Sequence, residues 1–504
     1  MKRNFVDKFV SFVNPAAGLS RLKARAQMTV AERHLSEFEE AERRRYDAAS
    51  KSRLNNEWFS GEVSVNTEIL SALAMLRNRS RDLCRNNGYA IQGVRMIKNN
   101  VVGTGIIPTP RAEGISKSQL KKLKTAWEDW ASVTECDFDG MSTFYGIQSL
   151  VMKTVVESGE CIIRRVYGNS KQEIPLKLQI LEGDFIDGSK HDGTWQSDDT
   201  MLFYGIKIHR DGTRLGYWIY KSHPNEFGLD SEFVPAKDIV HVYEVERPGQ
   251  IRGVPFSSSV MGKLKDLGDF EYAELVRMKI AASFSVFITE DAINDGSPAA
   301  SPNKDRLTKI QPGMIAHLTP GQQIQTAQPP NVEGGEGFVK NNLRSVSAGF
   351  GTSYEGLTND YSNVNFSSGR MGRMEFQGQV EHLQYNLMIP RFCNKIFPWF
   401  LEACRLKGII SFEGKVRVSW TAPRKQMIDP YKEIQAIKEK LRAGLASWTD
   451  VVKEFGYVPD ELLEEIKNDK EMWDKLGLAP TIDPRFDSNR PLEKPDQLME
   501  EDQK

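Results

Sequence analysis

Apolar residues recur at threes and fours through much of the chain and by alternation in one central zone. From Thr67, "EILSALAMLRNRSRDLCRN" sets Ile69, Leu73, Leu76 and Leu83 on one helical stripe. "NNGYA" then breaks the pattern, with Gly88 expected as a left-handed stop. A second helix follows in "AIQGVRMIKNNVVG", with Ile91, Val94, Ile97 and Val101 in phase. "SKSQLKKLKTAWEDWAS" and "TFYGIQSLVMKTVVESGE" read as two more helices. Between about 160 and 245 the period shortens to two in "CIIRRVYG", "LKLQILEG" and "KDIVHVYEV". "MLFYGIKIHRDGTRLGYWIY" alternates on both sides of Asp211-Gly212, a hairpin signal.

The helical period returns in "PFSSSVMGKLKDLGDFEYAELVRMKIAAS", with Ser257 to Ser259 as candidate caps and Met261, Leu264, Leu267, Val276, Ile280 and Phe284 in phase. Leu264 and Val276 are candidates for a face turned toward a neighbouring helix. Residues 284–328 turn short-stranded and rich in Pro and Gly. "GFVKNNLRSVSAGFG" reads as a helix, and one long helix is expected from about Phe366 to Lys407. The strand "KVRVSW" and short helices lead to about 477, and the proline-rich 478–504 is expected to be disordered. The fold class is α+β.

Charge narrows the functional choices. Lys+Arg 67 against Asp+Glu 68 leaves no basic excess, so contact with nucleic acid must be local or weak. Residues 1–59 are polar and helix-prone; the arginines at 43–45 sit beside glutamates at 39, 40 and 42, which favours a solvated ion-paired face. Arg77, Arg79, Arg81 and Arg85 spread round their helix and suit either subunit contacts or surface ion pairs. Five cysteines without a C-x-x-C pair argue against a disulfide framework or a zinc ribbon. No run of about eighteen apolar residues marks a membrane span.

The candidate chemistry is thin. "GTSYEGLT" matches G-x-x-x-x-G-K-[ST] at Gly351, Gly356 and Thr358, but Leu357 stands at the lysine position and offers phosphate no charge. A helix precedes the loop where a buried strand is needed. G-x-G-x-x-G fails at Tyr354. No H-E-x-x-H and no G-x-S-x-G occurs. Asp184, Asp187, Asp192, Asp198 and Asp199 lack EF-hand spacing and read as a solvated loop, and His209, His223 and His241 read as satisfied structural histidines. No enzyme, cofactor or metal is expected. The rival readings are an ATPase or nuclease, which needs the missing lysine, and a scaffold or adaptor that binds partners through the helical N-terminal region.

Several blocks nevertheless form an ordered set. "RSRDLCRNNGYAIQGVRMIKNNVVGTGI" (79–106) is joined by "AWEDWA" followed by "TF", by "VESGE" before a strand, by "HVYEVERPGQIRGVPF" (241–256) and by "AGFGTSYEGLTNDYSNVNFSSGR". Across about 45 to 420 they resemble the lambda-type portal proteins of tailed bacteriophages. The resemblance implies a homo-oligomeric ring, typically of twelve copies, at one vertex of the capsid. Double-stranded DNA would pass through it during packaging and ejection. Its partners would be the terminase large subunit, the major capsid protein and scaffold, and head-completion or neck proteins. It would reside in the virion, and in host cytoplasm during assembly. On this portal fold, a strand-rich wing spans 60–255, a stem helix 256–283, a small α/β clip 284–328 and a return stem helix 329–350. A tunnel-loop region spans 351–370, a long helix, return strand and crown helices 371–477, and a tail 478–504. Asn359, Asp360, Tyr361, Ser362, Asn363 and Asn365 would then line the narrowest part of the channel. Short uncharged or acidic side chains there would touch the duplex without gripping its phosphates.

Overall fold

The computed structural model describes Met28 and residues 63–111, 115–169, 171–226, 228–282, 286–289, 315–318, 334–412, 416–423 and 427–478. The chain divides into two units, Met1–Ser64 and Val65–Lys504. The segment 1–59 expected to be helix-prone (Met28 apart), the arginine run at 43–45 and the tail beyond 478 fall outside the described residues.

The second unit opens with α1 (Val65–Asn86) and α2 (Gly88–Val101). Between them Gly88 is not the left-handed stop expected from sequence. Asn87 is extended, and its side chain accepts from the N–H groups of Tyr89 and Ala90, so Gly88 begins α2. An N-cap that satisfies first-turn donors makes the break cheap without a left-handed residue. The strand β1 (Ile107–Arg111), then α3 (Lys117–Ser132) and α4 (Phe144–Ser158), follow. Gly159, at φ 89°, ends α4 and turns the chain directly into β2 (Glu160–Tyr167).

β2 pairs antiparallel with β3 (Leu176–Glu182) and, on its other edge, with β8 (Ile239–Tyr243). Between these come β4 (Thr200–Phe203), β5 (Ile206–His209), β6 (Arg214–Tyr220) and β7 (Ser231–Pro235), an antiparallel meander. The expected hairpin is present: Gly212 takes φ 87° and the Asp211 carboxylate accepts from Thr213 N–H at 2.8 Å. The side chains of β2 serve two cores by simple alternation. Cys161 and Ile163 enter a large core with α2, α3 and α4, while Ile162 enters a smaller one with Ile206, Tyr217, Ile219 and Val234 of the meander. The acidic loop departs from expectation. Asp187 is buried and accepts from Ser189, Tyr220 and Ser231, pinning the loop to β6 and β7, whereas Asp192, Asp198 and Asp199 are exposed.

A 3₁₀ turn (Phe256–Ser259) leads into α5 (Met261–Ala282). Ser257 is not a helix cap: it is buried, with its Oγ 2.9 Å from Ser80 Oγ on α1. Two short parallel strands follow, β9 (Val286–Thr289) and β10 (Ile315–Leu318), then α6 (Gly335–Phe350), α7 (Tyr354–Thr358) and α8 (Phe366–His382). The single long helix expected from Phe366 is instead α8, a π-helical stretch (Leu383–Cys393) and α9 (Asn394–Leu406). Pro390 lies in the π stretch. Proline lacks an N–H and crowds the preceding turn, and a wider turn takes up the mismatch without breaking the rod. Beyond it lie β11 (Arg417–Thr421), paired with β1, and the short helices α10 (Pro430–Arg442), α11 (Trp448–Glu454) and α12 (Pro459–Leu476).

The large core is fastened by rings. Trp127 and Trp130, one turn apart on α3, meet Phe144 of α4 and Phe400 of α9 with ring centroids 4.8 to 5.4 Å apart. Edge-on and tilted aromatic pairs add to the large area these side chains bury. The spacing in "AWEDWA" therefore has a packing cause.

Candidate functional site

The loop from Gly351 to Arg370 is built from successive caps. Gly351, at φ 69°, closes α6, and Ser353 caps α7 by accepting from Gly356 N–H. Leu357, which stands where a phosphate-binding loop has lysine, is 1% exposed and belongs to the large core. Its place in the chain is a packing position. Asn359 ends α7 in the left-handed region at φ 56°, a conformation asparagine tolerates better than most residues. Asp360 then folds the chain back: one carboxylate oxygen accepts from both N–H and O–H of Ser362, and the other from Tyr354 Oη. The Ser362 hydroxyl, first among these, holds the Asp360 carboxyl below its usual range. Asn365 starts α8 in a reciprocal capping box with Ser368.

All six sequence candidates thus sit in one short turn. Asn359, Tyr361, Ser362, Asn363 and Asn365 are exposed, and Asp360 is half-buried. Asn359, Tyr361 and Asn365 also border a groove of about 670 Å³ between α2 and α8; Asp360, Ser362 and Asn363 do not. Sequence reading missed the other side of that groove. Arg95 of α2 and Arg370 and Arg373 of α8 line it, and none forms an ion pair with a described residue. Arg370 and Arg373 lie close to the loop in sequence, but Arg95 is brought there only by the fold.

The helical pair beside the loop has an unequal stripe. Leu264, Leu267, Glu271, Leu275 and Met278 follow at threes and fours along α5. Leu264 and Leu267 are fully buried, whereas Leu275 is 48% and Met278 56% exposed. Leu264 therefore faces the chain's own core and is not free for a neighbour, and Val276 is half-buried. The adjoining side of α5 meets α6 through Phe270 and Phe338, with ring centroids 4.9 Å apart.

A buried carboxylate joins α1, β2, β8 and the segment at 252–253. Glu160 is fully buried; it accepts from Arg252 Nε at 3.0 Å, Arg77 Nη2 at 3.3 Å, His241 Nε2 at 3.1 Å and Gly253 N–H at 3.0 Å. Burial alone would push this carboxyl up, but the Arg252 charge and the His241 hydrogen bond hold it well below its usual value. The His241 Nδ1 faces the Arg214 guanidinium at 2.9 Å and accepts from it, so the ring is neutral and donates from Nε2 to Glu160. Burial lowers its pKa to about 4. Asp184 completes the cluster, paired with Arg77 and Arg81. Three of the sequence blocks converge here, through Arg81 of 79–106, Glu160 of "VESGE", and His241 and Arg252 of 241–256. Of the four arginines on α1, Arg77 is buried in this cluster and Arg85 is an exposed pair with Asp82. His241 is the satisfied structural histidine the sequence suggested.

No cluster of His, Cys, Asp and Glu that would hold a metal occurs among the described residues. The cysteines are buried thiols; burial pushes Cys84, Cys136 and Cys404 up to about 12 and raises Cys161 and Cys393 as well. None is a ready nucleophile at neutral pH. No described helix is long and apolar enough to cross a membrane.

The family model for phage portal proteins of the lambda family matches residues 51–384, well over half of the chain. The chain belongs to this family. Its function is that of a portal protein at a phage capsid vertex. It is 24% identical over 464 residues to a probable portal protein of Halomonas phage phiHAP-1, covering 86% of this chain and 88% of that one. It is 23% identical over 448 residues to portal protein B of Escherichia phage lambda, covering 78% and 82%. Both relatives are named as portal proteins. Among solved structures, a chain from the neck of a native GTA particle, described with C12 symmetry, overlaps with a TM-score of 0.42 at 13% identity, covering 75% of this chain and 93% of that one.

Proposed function

We propose that copies of this portal protein close into a ring whose central opening passes double-stranded DNA into and out of the capsid. The wing comprises 60–255, α5 and α6 form the stem, and 284–328 forms the clip that docks the terminase large subunit and, later, head-completion proteins. The crown lies beyond α9. The observation that carries the ring is the stripe on α5. The apolar positions that pack into the chain's own core at Leu264 and Leu267 resume beyond Glu271, bare, at Leu275 and Met278. A neighbouring helical pair is the occupant such a stripe requires.

The loop projects into the channel, with Asn359, Tyr361, Ser362, Asn363 and Asn365 toward the duplex. Neutral tips leave DNA mobile, because each phosphate neutralised by a lysine or arginine adds affinity and salt dependence. Arg95, Arg370 and Arg373 stand behind the tips and supply a weak attractive field. Native mass spectrometry and negative-stain images of the purified chain test this reading. A closed ring with a central opening is expected. A monomer under all assembly conditions, or ATP hydrolysis by the pure protein, would overturn it.

A further inference from the structure

A pocket of about 330 Å³ lies where β6, β8, the π-helical stretch and α9 meet. Its walls carry four cations, Arg214, Lys237, Arg391 and Lys395, and no carboxylate. We propose that it is a binding site for an oxyanion, a phosphate or a carboxylate, that the protomer does not itself supply. This does not rest on the channel reading, since none of the loop residues lines the pocket.

Arg214 is held only by neutral acceptors: Tyr217 Oη and His241 Nδ1, each at 2.9 Å, Ile251 C=O at 3.2 Å, and Tyr243 Oη. Arg391 donates to the Tyr243 carbonyl at 2.9 Å. Both guanidinium carbons lie 5.2 Å from the centroid of the Tyr243 ring, so two like charges share one aromatic side chain. Like charges held together at a partly buried site repel, and the ordinary remedy is an anion between them.

The acids nearby are committed elsewhere. Glu160 is held by Arg252 and Arg77, while Asp238 and Glu402 are both held by Arg165. Glu244 lies outside the pocket lining and pairs with His382 at 3.5 Å, so it acts on Arg391 only from beyond the pocket wall. His241 is neutral. The rest of the lining combines Ala236, Ile239, Val240 and Trp399 with Tyr217, Tyr243 and the neutral His241, and walls of low dielectric focus the positive field. Guanidinium groups favour phosphate and carboxylate through paired N–H donors. The volume sits at the small end of ligand sites and suits one small anion or one acidic side chain.

Titration calorimetry of the full chain with inorganic pyrophosphate at low salt tests the site, with Lys237→Gln/Lys395→Gln as the variant. Both lysines are exposed, so the variant keeps the wild-type melting temperature. Saturable binding by wild type, about tenfold or more weaker in the variant, is expected. Binding by the monomer that disappears in the oligomer supports the site and assigns the anion to a second copy's carboxylate. Binding retained in the oligomer supports a free phosphate. No saturable binding in either form, or equal binding by the variant, overturns the proposal.

Discussion

Exchanging Glu160 for glutamine would leave Arg77 and Arg252, each about 5% exposed at the side chain, without their shared anion. A buried charge that loses its partner costs about 3–5 kcal/mol, and the Glu160→Gln variant should lose stability on that scale in urea unfolding. The same cluster sets an acid limit. The unfolded His241 takes up a proton near pH 6.5, but the folded one does so only near about 4, so stability declines as pH falls between these values. Glu160, held below its ordinary 4.5, continues the loss below that value. Melting temperatures from pH 7 to 4 should show the first decline, and His241→Gln, which cannot titrate, should flatten it. Unchanged slopes would detach His241 from the cluster's energetics. At this scale the sequence was half legible. His241 in an alternating strand pointed to a satisfied structural role. Arg77 did not declare itself, because its partner Glu160 lies 83 residues away and only the fold joins them.

Among the elements, α5 is the most exposed to test. Leu275→Asp with Met278→Asp places charge on side chains that are bare in the single chain, so the protomer should fold and the ring should fail. Leu264→Asp strikes a fully buried side chain and should unfold the protomer itself. Circular dichroism with native mass spectrometry separates the two; full rings from the double variant would remove α5 from the subunit interface. Periodicity located α1 through α4, the hairpin at Asp211-Gly212 and α5, because burial of one face leaves its mark in sequence. It failed where a local device decided the outcome. Asn87 took the cap expected at Gly88, Ser257 went to Ser80, and the stretch around Pro390 widened to a π-helix within an unbroken rod. None of these alters the apolar period, so none was visible in it.

For the whole molecule, the decisive experiment keeps the proposed ring and changes its proposed lining. Replacing Asn359 through Asn363 with a short glycine linker respects the left-handed start at Asn359. Rings should assemble normally while packaged or retained DNA falls; unchanged packaging would remove the loop from the channel. The six loop residues could be named from sequence because they fall within one short stretch, 359–365, whereas Arg95 lies 264 positions before Asn359 and could not. The alternation within β2 has a mechanical corollary. One strand gives neighbouring side chains to both cores, so neither face can slide against the sheet without dragging the other along. A load on one face of β2 is therefore passed to the core on its other face.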